Sequence, residues 1–340
     1  MAKRRIGIIT AGGDAPGMNA AVRAVVRTGI FCGFEMVGFK RAFGGLLDGD
    51  YINMTARTVS GIINLGGTIL RTGRCPELKT EVGRKKALKV LNELNIDSLV
   101  IIGGDGSLAA GNALSKEGVK VVNLPATIDN DVAGTEETIG YDTALNTAVD
   151  AKDKIRDTAQ SHERIFVVEI MGRHHGFLTL AVGLASGAEV IVVPEVKLDM
   201  DDLCDKFRHA SSSGKKSLIV AYAEGCGNSF DFAKQIEDQT GLEVRVSNLG
   251  YIQRGGIPTA RERILASVFG AEAIGVLREN KTNVLVGIEE GRIQLTPLTN
   301  FQNTKENLMW KIINYCKDFQ FKKYKAVFGK FFSSSANLMR

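Results

Sequence analysis

Cysteine pairing is absent from this 340-residue chain: its five cysteines (Cys32, Cys75, Cys204, Cys226 and Cys316) are scattered and form no Cys-x-x-Cys pair. Such spacing argues against a disulfide framework and against a zinc site, and it fits a reducing compartment. Long apolar runs are missing as well. Nothing approaches the length of a membrane span, and the basic start at residues 1–5 is followed by only five residues before glycines intervene. That is too short for the apolar core of a signal peptide, so a cytoplasmic location is expected. A general excess of positive charge is lacking too. The net charge is +5, but from residue 301 onward eight Lys or Arg face only Glu306 and Asp318, which leaves residues 1–300 with a net of about −1. A body so nearly neutral is a poor partner for nucleic acid. Low-complexity sequence is confined to residues 211–214 and 333–335, read as a surface loop and a frayed end. Finally, no G-x-x-x-x-G-K-[ST] run occurs, which excludes a Walker-type nucleotide site.

What remains is a chain with 44% hydrophobic residues, enough for a large core and two lobes. Short β-rich runs alternate with helical ones. Residues 5–10 precede a helix over about 19–30, 98–102 precede 107–116, and 165–170 precede 177–185. The same unit recurs at 190–193 with 199–210, 218–223 with 230–239, and 243–248 with 259–279. This pattern predicts an α/β fold of mostly parallel sheet flanked by helices, with ligand sites outside the carboxyl ends of the strands. The larger lobe is expected over residues 1–140, rejoined by 251–303, with a smaller lobe at 141–250 inserted between.

Three glycine- and aspartate-rich runs fall at strand ends. Residues 11–19, Ala-Gly-Gly-Asp-Ala-Pro-Gly-Met-Asn, leave a strand and enter a helix, so exposed N–H groups and the helix dipole can receive phosphate oxygens. The alternative is a tight turn with Asn19 as N-cap. Gly103-Gly104-Asp105-Gly106-Ser107 offers a carboxylate between glycines that admit a magnesium-bound triphosphate. Here the alternative is Asp105 as a helix cap. Thr127-Ile128-Asp129-Asn130-Asp131 supplies a candidate base in Asp129, with Thr127 as a hydrogen-bond donor; an Asx-turn is the bland reading. In a loose phosphoryl-transfer transition state the proton leaves late, so the orientation of an aspartate matters more than its basicity. The set points to phosphoryl transfer, with a metal-holding acid and a proton-accepting acid at opposite ends of the migrating group.

Arg71, Arg74, Arg164, Arg173, Arg245 and Arg254 lie in or beside strand-end loops. Their planar guanidinium groups match phosphate oxygens, although any single one reads ordinarily as a solvated charge. His174 and His175 are adjacent and diverge in direction, so no metal is assigned to them.

Together, residues 10–23, 103–107, 125–131, Met171-Gly-Arg-His-His-Gly176 and 250–256 resemble bacterial-type 6-phosphofructokinase, in the same order and at similar spacing, over roughly residues 3–298. The resemblance implies a kinase moving the γ-phosphoryl of ATP to the 1-hydroxyl of fructose 6-phosphate in glycolysis. It implies nucleotide contacts from Gly13, Arg74, Cys75, Gly104, Asp105, Gly106 and Ser107, with Asp105 on Mg2+. Asp129 matches the proton acceptor. Thr127, Ile128, Met171, Gly172, Arg173, Glu224, Tyr251 and Arg254 match positions that hold the sugar phosphate, while Arg74 and Arg173 would offset charge on the moving group. Arg164 and Arg245 match arginines that reach a neighbouring subunit's sugar phosphate, implying a homotetramer with shared sites. In the same reading the larger lobe binds nucleotide and the smaller lobe sugar phosphate. Arg23, Arg27, Arg156, Glu189 and Lys215 match an effector site.

Departures from the family pattern are few. Gly106 stands where pyrophosphate-using members typically have Asp, which favours ATP as donor; Ala126 replaces the usual glycine of ATP enzymes. Tyr251 replaces a frequent histidine. Ala56 and Ser213 replace basic effector-site residues, so control by ADP or phosphoenolpyruvate is expected to be weakened or altered. The tail, where Lys322, Lys323, Lys325 and Lys330 interleave with aromatics, does not resemble the family's ending. Competing readings are a pyrophosphate-dependent enzyme, a lipid or NAD kinase sharing a Gly-Gly-Asp-Gly loop, and a catalytically inactive regulatory subunit. The segments 127–131 and 251–256 argue against the second, and the presence of Asp105, Asp129 and Arg173 argues against the third.

Overall fold

The computed structural model describes residues 4–215 and 217–299. In chain order the elements are β1 (Arg5–Thr10), α1 (Met18–Phe31), β2 (Glu35–Phe39), α2 (Ala42–Asp48), β3 (Tyr51–Met54), α3 (Glu81–Glu93), β4 (Ile96–Gly103), α4 (Asp105–Lys116) and β5 (Lys120–Pro125). There follow α5 (Tyr141–His162), β6 (Ile165–Ile170), α6 (Phe177–Ala185), β7 (Val190–Val192), α7 (Met200–Ser212), β8 (Leu218–Ala223) and α8 (Ser229–Thr240). The last are β9 (Val244–Asn248), α9 (Ala260–Arg278), β10 (Val284–Glu289) and β11 (Arg292–Pro297). The α/β alternation expected from the apolar runs is present.

Two compact units make up the chain. One runs to Ala144 and resumes at Ile252; the other is Leu145–Tyr251. The first is built on a seven-stranded sheet, β11-β10-β5-β4-β1-β2-β3. Its centre is parallel, and antiparallel pairs occur only at the edges, β2 with β3 and β10 with β11. Parallel strands covered on both faces need continuous apolar runs, and β4 supplies one: Leu99, Val100, Ile101 and Ile102 are all fully buried. The second unit carries the all-parallel sheet β7-β8-β6-β9. Its core joins Val167 and Val220 to Phe207 of α7, and Tyr222 stacks on Phe232 with ring centroids 4.8 Å apart.

Helix starts follow their capping residues. Thr80 accepts the Gly83 N–H at 3.0 Å ahead of α3, and Asn228 accepts the N–H groups of Phe230 and Asp231 ahead of α8. Gly241 ends α8 in the left-handed conformation that glycine adopts without penalty.

Among the described residues no helix is long and apolar enough to cross a membrane. The basic aromatic tail lies outside the described residues, as does the final part of the 251–303 segment.

Candidate active site

Three loops leave the carboxyl ends of neighbouring parallel strands in the first unit. Thr10 pairs with Ile102 between β1 and β4, and Gly103 pairs with Pro125 between β4 and β5. Beyond the strands the pairing continues: the Ala11 N–H donates to Ile102 O at 2.9 Å, and the Ala126 N–H to Gly103 O at 3.0 Å. The loops therefore open side by side. A Cβ built on Gly104 would sit 3.4 Å from Cβ of Thr127, and one on Gly103 only 2.4 Å from the Ala11 carbonyl oxygen. Glycine at 103 is what lets the backbones close up. Asp105 stands at the exposed first turn of α4, whose N-cap is Gly104 with no side-chain cap, so the capping role considered for Asp105 is not the one it takes. Gly106 faces open space, with nothing within 4 Å of a built Cβ. Ser107 is buried, its hydroxyl turned toward Gly103 and Gly12.

The Asp129 loop is held from within. Asn130 adopts a left-handed φ of 52°, tolerable for asparagine, and its side chain spans the loop. Its Oδ1 accepts the Thr138 N–H at 3.1 Å and its Nδ2 donates to Glu136 O at 3.1 Å. The Asp129 N–H donates to the Thr127 hydroxyl at 3.2 Å, an ST-turn in which Thr127 and not the acid is the acceptor, unlike the Asx-turn of the bland reading. Asp129 is 8% exposed, whereas Ile128 turns its side chain into the interior at 2%.

Asn19 does not cap α1; Gly17, at φ 94°, holds that position. The Asn19 amide donates to the carbonyls of Leu65 and Gly66, both at 3.1 Å, and accepts the Ile69 N–H at 2.8 Å. This fastens the segment that leads to Arg74 and Cys75. Further ties come from the Thr10 hydroxyl to Arg71 O at 2.9 Å and from the Thr72 hydroxyl to Gly12 O at 2.7 Å. Arg74 is exposed and Cys75 half-buried. Arg254 completes this side: a Cβ on Gly13 would lie 2.1 Å from its Nη1.

The second unit groups another set. The Arg173 N–H donates to Glu224 Oε1 at 2.6 Å, and Arg173 has a left-handed φ of 54°. A Cβ on Gly172 would meet the His175 carbonyl oxygen at 2.4 Å, and one on Gly225 the Arg173 carbonyl oxygen at 2.8 Å. Met171, Gly172, Arg173 and Glu224 are thus one constellation. Tyr251 is 82% exposed. Arg164 and Arg245 converge on Glu243, the former at 2.7 Å and the latter on the other carboxylate oxygen. The Arg164 hydrogen bond leads in holding the Glu243 carboxyl below the usual range. Sequence reasoning missed Glu243, because its proximity to Arg164 depends on the pairing of β6 with β9.

Residues 5–277 match the phosphofructokinase family. The chain belongs to that family. It is 52% identical over 291 residues to an ATP-dependent 6-phosphofructokinase of Clostridium botulinum, covering 85% of this chain and 91% of that protein. An ATP-dependent 6-phosphofructokinase of Halalkalibacterium halodurans is 48% identical over 305 residues, with 90% and 96% covered. Among solved structures, Pichia pastoris phosphofructokinase in the T-state superposes with a TM-score of 0.85 at 35% identity over 96% of this chain, which spans 38% of that longer protein.

Of the five residues expected from the sequence at an effector site, three meet in the second unit. Glu189 Oε1 receives Arg156 at 3.2 Å and Lys215 at 3.0 Å, and Oε2 accepts the Ile219 N–H at 2.8 Å. Burial alone would raise this carboxyl, but the Ile219 N–H with Lys215 and Arg156 overcomes it and holds Glu189 below the ordinary range. Arg23 and Arg27 lie one turn apart on α1, in the first unit.

Proposed function

We propose that this chain transfers the γ-phosphoryl of ATP to the 1-hydroxyl of fructose 6-phosphate, yielding fructose 1,6-bisphosphate and ADP. The observation that carries the reading is the contact between Gly104 and Thr127, which sets the Asp105 and Asp129 loops against one another at adjacent strand ends. Its position at the carboxyl edge of a parallel sheet is where such folds take ligands.

Asp129 accepts the proton of the attacking hydroxyl, oriented by its own turn and by the Asn130 braces. Thr127 is within the same turn and serves sugar or phosphate oxygens. The Gly12–Gly13 and Gly104–Ser107 backbones receive the nucleotide phosphates, with Arg74 and Cys75 beside them. Arg74 and Arg173 offset charge on the migrating group. Met171, Gly172, Glu224, Tyr251 and Arg254 hold the sugar phosphate, and Arg164 and Arg245 serve that of a neighbouring subunit in a homotetramer. Mg2+ fits Asp105, an exposed carboxylate flanked by glycines, because this ion usually takes one carboxylate and several waters. When bound it neutralises phosphate charge. Arg23, Arg27, Arg156, Glu189 and Lys215 form the effector site, and the protein works in the cytoplasm.

Purified protein supplied with fructose 6-phosphate, Mg2+ and either ATP or pyrophosphate tests this directly. Fructose 1,6-bisphosphate is expected with ATP. Product with pyrophosphate alone assigns the other donor, and none with either leaves the inactive regulatory subunit.

A further inference from the structure

We propose that Glu262 is a positioning residue for this transfer, its buried carboxyl tying the helix after the Asp129 loop to the helix after the Arg254 loop. The inference rests on the phosphofructokinase reading of the site.

Thr259-x-x-Glu262 has the sequence of a capping box, in which the glutamate reaches back to the N–H of its own N-cap. Thr259 performs its half, accepting the Glu262 N–H at 3.1 Å. Glu262 does not. Its Oε2 accepts the N–H and the hydroxyl of Thr143, both at 3.2 Å, at the start of α5. The N–H of Thr259 donates instead to the Thr143 hydroxyl at 3.2 Å, and the Thr259 hydroxyl to the Asp142 carboxylate. Two helix N-termini thus exchange caps. A third lies against them, since a Cβ on Gly17, the N-cap of α1, would meet Cγ of Glu262 at 2.8 Å and Cγ2 of Ile139 at 2.9 Å. Ile139 in turn exchanges hydrogen bonds with Pro125 O and the Thr127 N–H. One buried side chain therefore lies against the starts of α1, α5 and α9.

Glu262 is fully buried and its Oε1 has no partner within hydrogen-bond geometry. Desolvation pushes the acid up to about 7, partly offset by the Gly140 and Thr143 N–H groups. The charged groups that act on it are Asp142 on α5 and, on its own helix, Arg261, which is paired to Glu137. A charge that changes near neutrality at this junction alters the loops rather than the chemistry.

The test uses the full chain, the variants Glu262→Gln, Glu262→Ala and Thr143→Val, and the Glu262→Ala/Thr143→Val pair. Each is assayed for fructose 6-phosphate phosphorylation by ATP across neutral pH, with thermal melting alongside. Glu262→Ala is expected to lower kcat roughly tenfold or more, while KM for ATP changes by less than about twofold. Glu262→Gln is expected to keep kcat below pH 7 and to lose the wild-type change across pH 7. Thr143→Val should imitate Glu262→Ala, and the pair should be no worse than either. Wild-type kcat and pH profile in both Glu262 variants, or losses confined to melting temperature, overturn the inference. Should Glu262→Ala fail to fold, Glu262→Gln and Thr143→Val still decide it. A wild type inactive with ATP overturns the functional reading, and this inference with it.

Discussion

The guanidinium of Arg254 fills the volume that a side chain at position 13 would need, with Nη1 2.1 Å from where a Cβ on Gly13 would stand. The obstructing atom is the far end of a flexible side chain rather than backbone. Gly13→Ala is therefore expected to fold and to displace Arg254. Steady-state kinetics should show KM for fructose 6-phosphate raised about tenfold, a loss of roughly 1.4 kcal/mol in binding, with melting temperature little altered. Unchanged KM would detach Arg254 from sugar-phosphate binding.

Asp129→Ser removes the proton acceptor and keeps a small polar side chain. Turnover is expected to fall roughly 10²- to 10⁴-fold, with sugar binding largely intact, which initial rates and equilibrium binding separate. Equal turnover would remove Asp129 from its assigned role.

Gly106 is a cleaner probe of donor choice, because nothing lies within 4 Å of a Cβ there. Gly106→Asp should leave folding alone and place a carboxylate where the nucleotide phosphates approach. KM for ATP is expected to rise by about tenfold or more, and added salt should soften the effect. An unaffected KM for ATP would show that the donor does not pass this residue.

Glu262 predicts a stability signature independent of activity. Its acid is raised in the fold to about 7 from an ordinary 4.5, so the native state binds the proton that the unfolded chain releases. Stability from this group is full below the ordinary value and falls as pH rises toward 7, by on the order of a few kcal/mol. Glu262→Gln should flatten that slope. Denaturant unfolding at pH 5 and pH 8 compares the two proteins; parallel slopes would mean that the acid is not shifted.

The strands and most helices are legible in the sequence because parallel, doubly covered strands require unbroken apolar runs, as β4 and β8 show. The three loops are legible because glycine and aspartate recur together at three strand ends, whereas any one run alone reads equally as a turn or a helix cap. Partnerships across space are not. Asn19 reads as a cap by position, yet its amide is used by residues 65, 66 and 69, far along the chain. Glu243 carries no local signal and Glu262 a misleading one: the first finds its arginine through strand pairing, the second abandons a capping box that its own sequence specifies. Nor does α5 announce that the first unit ends at Ala144, inside an unbroken helix.

The pairing of Gly103 with Pro125 has a consequence for how this chain can vary. Both acids are delivered by counting residues outward from one locked rung, so adding or deleting one residue in either crest moves an acid by about 3.3 Å even when every side chain is kept. Length, as well as spelling, is what these crests must conserve to keep their aim.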